Sequence, residues 1–130
     1  MPRILLIEDD DLLRNLLHNM LEILGHAVSE APNGKEGLAL FTKQGADLVL
    51  TDVVMPEMEG MQLIRELRRL DPAVRIIAMS GGGRQSAQDY LQVAQMLGAM
   101  RVLAKPFSKD ALAATINKVM AESPPPAKDK

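Results

Sequence analysis

The chain has 130 residues, with 15 basic and 17 acidic side chains, a net charge of −2 and no cysteine. That length fits one domain, and the lack of cysteine excludes a disulfide framework, a thiolate metal site and a cysteine nucleophile. The near-neutral charge and the absence of a basic stripe interleaved with aromatics argue against nucleic-acid binding by this chain. One tyrosine and two phenylalanines are the only aromatics, although 47% of the chain is hydrophobic, so Leu, Ile, Val, Met and Ala must fill the core. Neither a signal peptide nor an apolar run long enough to cross a bilayer is seen, and a soluble cytoplasmic protein with no membrane partner is expected.

In chain order, the apolar run Ile4-Leu5-Leu6-Ile7 reads as a strand and is closed by the acidic pair Glu8-Asp9. Leu13, Leu17, Met20 and Leu24 then recur at spacings of three and four, which predicts a helix over 10–24 with one buried face. Asp10 and Asp11 suit its N-cap and first turn, where the helix dipole favours acids, and Gly25 suits its stop. Leu12, Leu16 and Ile23 lie off the buried stripe. They form an apolar surface patch or broaden the packed face. The alternating segment 26–30 predicts an edge strand. Asn33 followed by Glu36 predicts a helix N-cap, with the helix running to Gln44 and closed by Gly45.

The continuously apolar run 48–51 predicts a strand covered on both faces, and Asp52 ends it. A helix over 60–70 is stopped by Asp71-Pro72. A fourth strand over 74–79 is ended by Ser80. Gly81-Gly82-Gly83 lacks the Gly-Lys-Ser/Thr that would make it a nucleotide-binding loop. A helix near 86–97 and a strand over 101–104 follow, and Lys105-Pro106 ends the strand. The last helix is predicted over 108–121. The division expected is one domain over 1–122 and a proline-rich disordered tail or linker stub over 123–130. The lone His18 and His26 read as structural or exposed.

Strands alternating with helices predict a parallel sheet covered on both faces, although periodicity leaves the strand order open. Glu8-Asp9, Asp52, Ser80 and Lys105 all stand where strands stop. In a parallel sheet those ends share one edge, where open α/β sheets bind ligands. Two carboxylates about 4 Å apart repel by roughly 4 kcal/mol at an effective dielectric near 20. A site with three acids therefore calls for a cation, the lysine or a protonated carboxyl. A Mg²⁺ and phosphoryl site is the leading reading.

Glu8-Asp9, Asp52 with Met55-Pro56 and Gly60, Ser80, and Lys105-Pro106-Phe107, in this order, resemble the receiver domain of two-component response regulators over about residues 3–121. A receiver of the stand-alone, single-domain type is expected. The resemblance implies a flavodoxin-like (βα)5 three-layer sandwich with strand order 2-1-3-4-5. It implies Asp52 as phosphoacceptor, and Mg²⁺ (with Mn²⁺ an acceptable substitute) held by Asp9, Asp52 and the backbone carbonyl of Val54, with Glu8 acting through water. Lys105 and Ser80 would take phosphoryl oxygens, and a small Gly81 would leave the group open to donor and water. A histidine kinase or phosphotransfer protein would dock on the first helix, and phosphorylation would change affinity for a downstream protein. Such a domain catalyses its own phosphotransfer and dephosphorylation but turns over no free metabolite.

Two features depart from the family pattern. Val102 stands where an aromatic is usual, so the switch pairing Ser80 with an inward-moving aromatic is atypical here. The segment 80–105 is a few residues longer than usual, which shifts the expected readout to the glycine loop and the helix near 86–97. Both departures fall on the face that often dimerises in the family, and a monomer is expected. A phosphate-independent interaction module with the same fold is the alternative function. A phosphohydrolase with an aspartate nucleophile would usually carry a second acid two residues on, where this chain has Val54. Glu57 and Glu59 read as a solvated loop.

Overall fold

The strands carry the architecture, and their alternation splits the apolar side chains between two faces. In the computed structural model, which describes residues 2–52, 59–80, 101–105 and 107–122 (without the side chains of 59–61 and 80), β1 spans Arg3–Ile7. Leu5 and Ile7 point into one core cluster, and Ile4 and Leu6 into the other. β3 (Leu48–Asp52) and β4 (Arg75–Ser80) divide in the same way, with Val49, Ile76 and Ala78 on one side and Leu48, Leu50, Ile77 and Met79 on the other. This two-sided burial is why those runs are continuously apolar. β2 (Ala27–Ala31) is half-exposed and β5 spans Arg101–Ala104.

All pairings are parallel, and the order is β2-β1-β3-β4-β5. The alternating segment thus lies at an edge, as expected. The order agrees with the flavodoxin-like arrangement implied by the resemblance.

Four helices among the described residues cover the sheet: α1 (Asp11–Ile23), α2 (Gly34–Gln44), α3 (Glu59–Leu70) and α4 (Lys109–Ala121). Leu17 and Leu21 of α1 join Leu112, Ile116 and Val119 of α4 on one face. Phe41 of α2 joins Leu63, Ile64 and Leu67 of α3 on the other. The stripe expected on α1 needs one correction: Leu21 is fully buried, whereas Leu24 is the C-cap and only partly buried. Gly25 follows with φ 97°, a left-handed turn open to glycine. The helix expected near 86–97 and the tail 123–130 lie outside the described residues.

The caps match the sequence pattern. Asp10 accepts from Leu13 N at 3.1 Å, Asn33 from Glu36 N at 2.8 Å and Ser108 from Ala111 N at 3.0 Å. At the other end of α4, Arg75 donates to the carbonyls of Val119 (3.2 Å) and Glu122 (3.0 Å), and Arg101 forms an ion pair with Glu122. Arg75 and Arg101 open β4 and β5, so this clamp lies at the N-terminal edge of the sheet.

Candidate functional site

The register assembles the site. Ile7 pairs with Thr51, so the next step along both strands sets Glu8 beside Asp52, and Asp52 pairs with Met79. Leu103 also pairs with Met79, which puts Lys105 two residues beyond the same level. Parallel pairing therefore gathers at one edge what the sequence spreads over nearly a hundred positions.

Lys105 Nζ lies 2.7 Å from Asp52 Oδ2 and 2.8 Å from Glu8 Oε1. Glu8 and Asp52 are buried, at 1% and 3% exposure. Asp9 is exposed, yet Glu8, Asp9 and Asp52 each offer an oxygen within 4.8 Å of the others. Among the described residues no other such group of potential metal ligands occurs. Burial pushes the Glu8 carboxyl above its usual range, against the opposing pull of Lys105 and of the Asp10 N–H. Burial also pulls on the Lys105 ammonium, but the hydrogen bonds and charges of Asp52 and Glu8 outweigh it and hold the group above the usual lysine value. The lysine is therefore a firm cation between two buried acids.

Mg²⁺ is a hard ion that takes oxygen ligands and few carboxylates. All three groups are oxygen donors, and three carboxyl groups face a single ammonium. An accessible Asp9 beside two buried acids offers an open side for the ion and its waters. The residues present fit the group.

Of the other expected site residues, Ser80 ends β4 and pairs with Ala104, but its side chain is not among those described. Val102 pairs with Ala78 and packs, partly buried, against the core cluster that holds Leu5 and Ile7. Val54 and Gly81 lie outside the described residues. Leu12, Leu16 and Ile23 of α1 are exposed at 84%, 52% and 70%, so the patch reading holds rather than the broadened packing face.

Two groups that no sequence motif marks also touch the site. Arg14 donates from Nη1 to the Glu8 carbonyl at 2.9 Å, and the buried Thr51 hydroxyl donates to the Asp52 carbonyl at 3.2 Å. The helical spacing of Asp11 and Arg14 was the available signal for Arg14.

A family model described as the response regulator receiver domain matches residues 4–117. The chain belongs to that family. This receiver domain is 34% identical over 120 residues to the chemotaxis protein CheY of Bacillus subtilis, covering 91% of this chain and 97% of the relative. It is 36% identical over 122 residues to the transcriptional regulatory protein GlrR of Escherichia coli, covering 94% of this chain but 27% of GlrR, so it spans about a quarter of that relative's length. A solved receiver domain from Clostridium thermocellum superposes with a TM-score of 0.84 at 32% identity, covering 93% of this chain and 95% of that one. Receiver domains serve two-component systems as signalling switches rather than metabolic enzymes. They accept phosphoryl groups from histidine kinases or phosphotransfer proteins and bind Mg²⁺ at an acidic pocket. Among the described residues of this receiver domain, no helix is long and apolar enough to cross a membrane.

Proposed function

We propose that the chain takes a phosphoryl group from phosphohistidine onto Asp52 and thereby changes its affinity for a partner. The observation that carries this reading is the Lys105 ammonium held between the buried carboxylates of Asp52 and Glu8, with Asp9 alongside. An Asp52 carboxylate oxygen attacks phosphorus, the P–N bond to the donor imidazole breaks, and an acyl phosphate remains on Asp52. Lys105 exchanges its Asp52 oxygen for a phosphoryl oxygen, and the Ser80 hydroxyl takes another. Glu8 (through water), Asp9, Asp52 and the Val54 carbonyl would hold Mg²⁺. When bound, the ion supplies neutralisation of the acids and of the charge on the phosphoryl oxygens. Mn²⁺ would substitute for Mg²⁺ at the same residues, and a small residue at Gly81 would leave the phosphoryl group open to donor and water.

The histidine kinase or phosphotransfer protein docks on α1, whose Leu12, Leu16 and Ile23 share one exposed stripe that starts at the acidic edge with Leu12. The test is intact mass after incubation with acetyl phosphate and Mg²⁺. The unmodified chain gains one phosphoryl group and Asp52→Asn gains none. Equal gain by both chains, or none by the unmodified chain from either acetyl phosphate or a panel of phosphorylated histidine kinases, refutes the assignment.

A second reading, a phosphate-independent interaction module, draws on Val102. It is a short, partly buried side chain packed against the core, where an inward-swinging aromatic would be needed for the usual switch. Partner binding that survives both Asp52→Asn and removal of Mg²⁺ would favour this second reading.

A further inference from the structure

The geometry points to Arg14 as the positioning residue for the Asp9 carboxylate, an inference that rests on the Mg²⁺ site proposed above. The planar guanidinium reaches three elements at once. Nη1 donates to the carbonyl of Glu8 at 2.9 Å, at the end of β1. Nη2 donates to Asp11 Oδ1 at 2.7 Å, in the first turn of α1. Nε faces Glu30 Oε1 at 3.5 Å, on the edge strand β2. The side chain is only 16% exposed.

The Glu8 carbonyl and the Asp9 N–H belong to one rigid peptide plane. Fixing that carbonyl fixes the plane, and with it the position of the Asp9 Cα from which the side chain starts. The rest of Glu8 is tied as well: its N–H donates to the Ala31 carbonyl at 3.1 Å, and its Oε2 accepts from Asp10 N at 3.1 Å. Asp9 differs. Its carboxylate is exposed and, among the described residues, makes no hydrogen bond, so the backbone alone aims it at the metal position.

Arginine suits this role because a fork of five donors can serve three acceptors in fixed directions, whereas a lysine ammonium can hold one or two of them. The outer acceptor is anchored in turn, since Glu30 Oε2 also meets His18 Nδ1 at 2.6 Å. The turn 8–11 is thus held from the helix side and from the sheet edge through a single side chain.

The test separates aim from charge. Removing a positive charge beside an acidic site would, by charge alone, strengthen cation binding. A positioning residue predicts the opposite sign. Calorimetric titration of the full chain with MgCl₂ at constant ionic strength is expected to show Arg14→Met weakened by about 10- to 100-fold, the usual effect of losing a group that orients a ligand. Arg14→Lys should recover part of that loss. Val119→Ala, a core variant at the far end of α4, controls for lost stability and should bind Mg²⁺ as the unmodified chain does.

Affinity of Arg14→Met within twofold of the unmodified chain, or tighter, overturns the inference and leaves the Mg²⁺ site standing. If Arg14→Met does not fold, Arg14→Lys decides: severalfold weakening supports the role and unchanged affinity overturns it. No binding by the unmodified chain refutes the site itself and the inference with it.

Discussion

Replacing Lys105 with methionine keeps most of the length of the side chain and removes its charge. In the folded protein the ammonium sits 2.7 Å from Asp52 and 2.8 Å from Glu8. At an effective dielectric near 20, each contact is worth about 6 kcal/mol of gross attraction. The two acids lie within 4.8 Å of each other, which adds about 3–4 kcal/mol of repulsion once the cation is gone. Relief from burying the ammonium offsets much of this. Breaking a buried ion pair by removing one partner costs about 3–5 kcal/mol net. Lys105 is partly solvated, so the lower end applies. We expect Lys105→Met to lose about 3 kcal/mol in EDTA, a fall in melting temperature on the order of 10 °C.

Mg²⁺ should then stabilise the variant more than the unmodified chain. The divalent ion no longer competes with a resident ammonium, and each tenfold gain in affinity adds about 1.4 kcal/mol at saturating ion. Denaturant melts in EDTA and in about 10 mM MgCl₂ check this, and the gap between the two proteins should narrow to under about 1 kcal/mol in Mg²⁺. If Lys105→Met matches the unmodified chain in EDTA, or if Mg²⁺ adds the same increment to both, then the lysine is not the counter-charge that permits two buried acids here.

Two further predictions concern the frame of the site. A Cβ added at Gly37 would stand 2.7 Å from Ile7 Cγ1 and closer still to Cδ1, under a side chain with no exposure. Overpacking costs about 1–3 kcal/mol and outweighs the roughly 1 kcal/mol of helix propensity that Gly37→Ala gains, so chemical denaturation should show a net loss of about 1 kcal/mol. For His18, burial lowers its proton affinity but the carboxylates of Glu30 and Glu22 more than compensate, and its pKa is raised on folding. A raised histidine contributes stability in full below its unfolded value near pH 6.5 and loses it as pH climbs through the folded value. The stability gap between the unmodified chain and His18→Gln should therefore be up to about 1 kcal/mol near pH 6 and shrink as pH rises through the folded value. A gap that grows with pH would reverse the assignment.

Much of this was legible because it is local. The runs at 4–7 and 48–50 are apolar at every position because both faces are covered, and Asn33 caps α2 through a partner three residues away. What periodicity could not give is strand order, which came from the resemblance. Lys105 meets Glu8 across 97 positions, and only the register of a folded sheet makes that pair. Arg14 was missed for the same reason, since two of its three acceptors are set by tertiary placement: the Glu8 carbonyl at the strand end and Glu30 on the neighbouring strand. Leu21 was missed because Met20 and Leu21, three and four residues after Leu17, both fit the helical repeat, and only packing shows that Leu21 is the fully buried one.

The arginine clamp on the last helix bears on how the protein can be handled. Arg75 and Arg101 fasten residues 119–122 to the starting edge of β4 and β5, whereas the acids stand at the finishing edge. Strands of this length separate the two edges by about 15–20 Å. A fluorophore or surface tether attached after Glu122 would leave from a firmly held corner and leave the carboxylates facing free solution. Immobilised chains should present the acidic edge outward in a common orientation, which suits direct capture of a phosphodonor on a sensor chip.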